Sequence, residues 1–63
     1  MATYQIPKEC GTCRVITARA GNPLVTNDRT GKNKVLIPCT SHEQAQGICD
    51  RINRGEHNGT VHA

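Results

Sequence analysis

The alternation of hydrophobic and polar residues predicts a short series of strands followed by one helix. Residues 14–20 are rich in β-branched side chains and end at a Gly-Asn-Pro turn signal. Residues 24–26 start a second strand, and the polar Asn, Asp and Gly residues within 27–33 predict the next turn. Residues 34–38 are predicted to form the last strand, which ends at Pro38, where a missing backbone donor does little harm.

The residues after Pro38 predict the helix. Thr40 or Ser41 is a suitable N-cap, and an acidic or amide side chain three residues later completes a capping box. A single apolar stripe at helical spacing then consists of Ala45, Ile48, Cys49 and Ile52. Gly55 is placed to end the helix. Gly47 lies within the helix at a cost of about 1 kcal/mol relative to alanine, which suggests either a close backbone approach or simple tolerance.

The two ends of the chain differ from this central part. Residues 1–9 are predicted to form an extended arm, in which Tyr4 and Ile6 alternate with polar neighbours and indicate a short edge strand. Residues 56–63 are mostly polar and are predicted to form a disordered tail. The sequence therefore predicts one small α+β domain at residues 10–55, an antiparallel β-hairpin or three-stranded sheet followed by one C-terminal α-helix.

The composition leaves this domain little material for a core. The chain has 63 residues, no Phe, no Trp and a single Tyr. A chain of this length buries only about 60% of the surface that its unfolded form exposes. Small domains with so few bulky side chains usually need disulfides, a metal ion or a partner subunit.

The first nine residues lack the basic start and apolar run of a secretion signal. No segment approaches the roughly 18 apolar residues of a membrane span. We therefore expect a cytoplasmic protein with no membrane contact, in which thiols stay reduced. Four cysteines in that setting favour metal binding or buried thiols over disulfides.

Four residues have the spacing of a structural zinc site. Cys10 and Cys13 form a C-x2-C pair, and after a gap of 25 residues Cys39 and His42 form a C-x2-H pair. Each short pair can place two donors on one side of a tetrahedral zinc ion. Cys49 in place of His42 is a variant of this site. The alternative is that the cysteines are buried core thiols, a common environment for this residue.

The order of these elements resembles treble-clef zinc-finger modules, in which a CxxC knuckle precedes a hairpin and the start of a helix supplies the last two ligands. The resemblance covers residues 10–53, and the chain also looks like small phage-encoded zinc-finger proteins with a terminal helix. It implies a zinc ion bound by Cys10, Cys13, Cys39 and His42. Four protein ligands leave no open position for water, so such a site would be structural.

The sequence predicts a binding protein and not an enzyme. It contains no acid/base pair, nucleophile triad or phosphate loop, and so small a core leaves little room for a closed substrate pocket. We expect a small accessory or regulatory protein that binds a protein partner, of the kind that phages and mobile elements encode. Exposed strand edges and a thin core also favour a homodimer.

The alternative is a nucleic-acid-binding module. Its phosphate contacts would come from the basic side chains Arg14, Arg19, Lys32, Lys34, Arg51 and Arg54. Eight Lys and Arg against five Asp and Glu give a net charge of only +3. The chain also lacks the aromatic side chains on which single-strand binders stack bases. The protein-binding interpretation is therefore preferred.

Overall fold

Five short strands and one helix form the protein, as seen in a computed structural model that describes residues 2–63. The strands are β1 (Thr3–Gln5), β2 (Cys13–Thr17), β3 (Pro23–Asn27), β4 (Leu36–Pro38) and β5 (Thr60–His62). In chain order, helix α1 (His42–Asn53) follows β4 and precedes β5, and a 3₁₀ turn (Gly31–Asn33) joins β3 to β4. The predicted α+β class, with a three-stranded antiparallel sheet followed by a helix, is confirmed.

The main sheet has the order β2-β3-β4, and all of its pairs are antiparallel. Cys13 lies opposite Asn27 at one end of β3, and Thr17 lies opposite Pro23 at the other end. Helix α1 packs across β2 and β3 on one side of this sheet. Val25 and Ile37, which are paired neighbours on β3 and β4, are almost fully buried at 0% and 1% exposure.

Helix α1 begins where the sequence predicts. Ser41 is its N-cap, and its side-chain oxygen accepts a hydrogen bond from the backbone N–H of Gln44 (3.1 Å). The Gln44 side chain in turn accepts from the backbone N–H of Thr40 (2.9 Å), one residue before the cap. The predicted apolar stripe is buried in full. Gly47, by contrast, is exposed, and a Cβ added to it would meet no atom within 4 Å, so tolerance is the correct explanation for it.

The helix ends in a Schellman motif. Gly55 has a φ of +72°, the left-handed conformation that glycine adopts without steric cost. Its N–H donates to the carbonyl of Ile52 (3.0 Å), and the N–H of Glu56 donates to the carbonyl of Arg51 (2.9 Å). This motif reverses the chain direction and sends residues 56–63 back toward the N-terminus.

Those residues, predicted to form a disordered tail, instead end in strand β5. It pairs antiparallel with β1, and Tyr4 lies opposite Val61. Val61 is buried at 2% exposure together with Ile6 at 6%. The prediction is corrected because the pairing joins residues almost a whole chain length apart, which no local pattern can indicate. Both the N-terminal arm and the tail therefore belong to the domain.

The core is made of small aliphatic residues and thiols. Its buried apolar members among residues 2–63 are Ile6, Cys10, Cys13, Val25, Val35, Ile37, Cys39, Ala45, Ile48, Cys49, Ile52 and Val61. Every cysteine of the chain is therefore in the core. Within the same residues, no helix is long and apolar enough to cross a membrane.

Candidate functional site

The structure does not bring the four predicted zinc ligands together. Cys13 lies beside Asn27 at one end of β3. Cys39 lies at the other end, where its N–H donates to the carbonyl of Pro23 (2.9 Å). Four residues of strand separate these two positions, which is about 13 Å at 3.3 Å per residue.

The number of strands causes this separation. A two-stranded hairpin would return the chain to the end where it began, next to Cys10 and Cys13. The third strand runs back to the opposite end of the sheet, so Cys39 and His42 lie at that end. The His42 ring accordingly lies beside Thr17, with 3.4 Å between its Nε2 and the hydroxyl oxygen.

These residues do not fit one tetrahedral site. Zinc–sulfur bonds of about 2.3 Å require sulfur atoms about 4 Å apart, far closer than the two pairs lie. Within residues 2–63, no group of three or more His, Cys, Asp or Glu side chains is arranged to hold a metal ion. Zinc binding by the predicted set stays a prediction for metal analysis to decide.

The cysteines that do lie close to one another are Cys10, Cys13 and Cys49. Burial, followed by the neighbouring Cys10 and Cys49 thiols, raises the pKa of Cys13 to about 11. Burial is also the main cause that raises the pKa of Cys49, and the only one that raises that of Cys39. Thiols of raised pKa are neutral at physiological pH, so Cys13, Cys39 and Cys49 behave as small apolar side chains rather than reactive nucleophiles.

The open edge of β2 is capped by a side chain of the helix. The Asn53 carboxamide accepts from the backbone N–H of Cys13 (2.8 Å) and donates to its carbonyl (3.0 Å). The Cys49 thiol donates to the same carbonyl (3.1 Å). This pair of hydrogen bonds imitates a neighbouring strand and occupies one position of the β2 edge. At the opposite edge of the sheet, Pro38 on β4 has no N–H to offer.

The side of the sheet that faces away from α1, here called the outer face, carries the main uncovered apolar surface. Strand register gives it two rows across the sheet, Arg14–Thr26–Leu36 and Ile16–Leu24–Pro38. Ile16 is 39% exposed and Leu36 is 55% exposed, and they are the large hydrophobic residues that the structure leaves exposed within residues 2–63. Leu24 between them is half-buried.

The charge on the outer face is balanced within the face itself. Arg14 forms an ion pair with Asp28, the residue that follows β3. Both side chains are more than half exposed, so this pair adds at most about 1 kcal/mol to stability. The Arg14 guanidinium therefore has an acidic partner, and the two rows contain no other charged residue.

The six basic residues of the nucleic-acid alternative are distributed over several elements. Arg14 is paired with Asp28, and Arg54 lies 3.4 Å from Glu56. Arg51 lies in the last turn of α1, and Arg19 lies in the turn between β2 and β3. Lys32 and Lys34 line one open groove beside the terminal β1–β5 ribbon. The structure brings together these two lysines and does not place all six residues in one site.

The sequence pattern does not reveal the structural role of Asn27, which it predicts to lie in a turn. Asn27 is the last residue of β3 and is 1% exposed. Its Nδ2 donates to the carbonyls of Cys10 and Asn33 (2.9 Å to the latter), and its Oδ1 accepts from the N–H of Val35 (2.9 Å). Nothing in the local sequence separates this asparagine from an ordinary turn residue.

The chain matches no known protein-family model, no curated protein sequence and no solved structure.

Proposed function

We propose that this protein is a small accessory protein that binds another protein through the outer face of its β2-β3-β4 sheet. The observation that carries the proposal is the exposure of Ile16 and Leu36 on one face of a chain that has so few large apolar residues. Contiguous exposed apolar patches mark contact surfaces, and the row Ile16–Leu24–Pro38 lies next to Leu36 on this face.

The sheet edges support recognition through the face. Strand addition needs a row of free backbone donors and acceptors along an edge strand. Asn53 occupies the Cys13 position on β2, and Pro38 removes a donor from β4. The expected partner therefore contacts side chains of the outer face more than backbone groups of an edge.

The chemistry of the outer face favours a protein over a nucleic acid. Phosphate contact needs unpaired cations, whereas Arg14 on this face is already paired with Asp28.

An interface of standard size takes about 800 Å² from each partner. This protein exposes 4349 Å², so such an interface would cover nearly a fifth of its surface. The outer face and its rim are the natural centre for it.

Site-specific photo-crosslinking in the producing cell tests this proposal. A benzophenone amino acid replaces Leu36 on the outer face or, as a matched control, Gln46 on the exposed side of α1. We expect position 36 to form a defined crosslink that mass spectrometry assigns to one other protein, and position 46 to form none. An additional Ile16→Ser substitution should weaken the crosslink from position 36.

The same experiment can contradict the proposal. Equal crosslinking from positions 36 and 46 would show that the outer face is not a selective contact surface. If crosslinks form only between copies of this chain, the outer face is the interface of a homodimer and not the contact surface for another protein. Sedimentation of the purified protein would show such a dimer independently.

A further inference from the structure

A groove lies between the β1–β5 ribbon and the segment that leads into β4. It has a volume of about 270 Å³ and is open to solvent on one side. Its lining consists of Gln5, Ile6, Pro7, Lys32, Lys34, Gly59 and Thr60. The groove exists only because residues 59–60 pair back to the N-terminal arm, so it is a product of the tertiary structure.

The lining is cationic. It contains two lysines and no acidic residue. The ion pairs found within residues 2–63 involve Arg14 with Asp28 and Arg54 with Glu56, so they use neither Lys32 nor Lys34. The remaining polar groups of the lining are the Gln5 carboxamide and the Thr60 hydroxyl, both of which can donate hydrogen bonds.

The fold holds the Lys34 ammonium and the backbone that carries Lys32 in place. The Lys34 ammonium donates to the backbone carbonyl of Asn27 (3.0 Å), which uses one of its three donors and fixes its position. Lys32 lies on the 3₁₀ turn, which is closed by the N–H of Lys34 bonded to the carbonyl of Gly31 (3.2 Å). On the opposite wall, the N–H of Ile6 donates to the carbonyl of Gly59 (2.7 Å). Both walls are therefore anchored by backbone contacts.

We propose that this groove binds a phosphate group between Lys32 and Lys34. Ammonium donors form short, charge-assisted hydrogen bonds with phosphate oxygens. The apolar residues Ile6 and Pro7 complete the lining beside these groups. The volume exceeds that of a bare phosphate, so a nucleotide or a phosphate of a nucleic-acid strand fits the same chemistry. This inference is independent of the protein-binding proposal, because the groove and the outer face involve different residues.

Two-dimensional ¹H–¹⁵N NMR at constant ionic strength tests the site. Inorganic phosphate is titrated against chloride into the full-length protein and into the Lys32→Gln and Arg19→Gln variants. Each variant loses one positive charge from an exposed position, but only Lys32 lines the groove. We expect saturable shifts at the amides of Gly59, Thr60 and Lys34. Lys32→Gln should weaken binding about five- to tenfold, and Arg19→Gln should change it less than twofold.

The source of the phosphate is decided by further titrations with a mononucleotide and with an eight-residue single-stranded oligonucleotide. Tighter binding of the oligonucleotide at the same amides, with affinity that falls as salt rises, would assign the groove to a nucleic-acid phosphate. Tighter binding of the mononucleotide would assign it to a small phosphorylated ligand. Shifts that do not saturate, or an equal loss of affinity in the two variants, would overturn the proposal.

Discussion

Removal of the Asn27 side chain should destabilise this protein more than any other change at a polar position. Asn27 joins three segments through backbone groups: the segment at Cys10, the 3₁₀ turn at Asn33 and the entry to β4 at Val35. It is 1% exposed, so water cannot replace its hydrogen bonds without opening the structure. Within residues 2–63, every buried side-chain nitrogen and oxygen has a partner, so the native arrangement carries no polar penalty at this position.

The magnitude follows from the groups that Asn27→Ala leaves unpaired. Two carbonyls and one N–H lose their partner, and a buried unsatisfied group costs about 1–3 kcal/mol. Partial relaxation lowers the sum, so we expect a loss of about 3–5 kcal/mol. At 0.05–0.15 kcal/mol per residue, the whole 63-residue chain has a free energy of unfolding of about 3–9 kcal/mol. The variant should therefore be largely unfolded or close to it at 25 °C.

Asn27→Asp separates the loss of hydrogen bonds from the loss of volume. At neutral pH its carboxylate would face the carbonyls of Cys10 and Asn33, which are acceptors and repel it. Burial beside acceptors raises the pKa of such a carboxyl above its unfolded value of about 3.9. Stability is therefore fully present below that value and is lost as pH rises through the raised pKa of the folded state. The destabilisation relative to wild type should shrink as pH falls from 7 to 4.

Urea unfolding followed by far-ultraviolet circular dichroism measures these differences. Asn58→Ala is the control, because Asn58 is exposed and should change the free energy of unfolding by less than about 0.5 kcal/mol. If Asn27→Ala unfolds within 1 kcal/mol of wild type, the three hydrogen bonds do not hold these segments together and the reasoning fails. The same conclusion follows if Asn27→Asp shows no pH dependence beyond that of wild type.

Three further predictions concern the helix, the terminal ribbon and the thiols. Gly47→Ala should raise the free energy of unfolding by about 0.5–1 kcal/mol, because alanine is the better helix former and its Cβ meets no neighbour; a loss of stability in urea unfolding would reveal a hidden contact. Val61→Ala should lower it by about 1–3 kcal/mol, whereas the exposed Thr60→Ala should be nearly neutral; equal effects would mean that β5 does not pack. A zinc chelator should leave the melting temperature unchanged, since Cys39 lies at the opposite end of β3 from Cys13; a fall in melting temperature together with one equivalent of bound zinc would support the predicted ligand set.

The helix could be predicted from the sequence because its signals are local. The helix caps form hydrogen bonds with groups only a few residues away, from Ser41 to Gln44 at the start and from Gly55 to Ile52 at the end. The residues of the apolar stripe all lie within the helix itself. The signals for the main sheet are also local. Each strand is indicated by its own β-branched residues, and each turn by glycine or asparagine residues that lie between two strands in the chain. These parts of the fold were predicted with small shifts at their boundaries.

The terminal ribbon and the relative positions of the four predicted zinc ligands depend on long-range pairing and could not be predicted in this way. Strand β5 has three residues and becomes a strand only when β1 lies beside it, and the paired residues Thr3 and His62 are 59 positions apart in the chain. The spacing of Cys10, Cys13, Cys39 and His42 is compatible with zinc whether the intervening chain forms two strands or three. Only an even number of strands between Cys13 and Cys39 brings the two ligand pairs to the same end of the sheet. The spacing of the four residues does not indicate how many strands lie between them.

The count of elements also explains why the outer face is open. The single helix has twelve residues and covers only one side of the three-stranded sheet. Val25 and Ile37 lie on the covered side and are buried there. The β1–β5 ribbon could have covered the other side, but Val61 of β5 and Ile6, which follows β1, belong to the same core cluster as the buried residues of the helix. Ile16 and Leu36 are therefore left outward by the topology. Because Asn53 and Pro38 limit the edges beside them, the proposed partner would contact this face through its own apolar side chains.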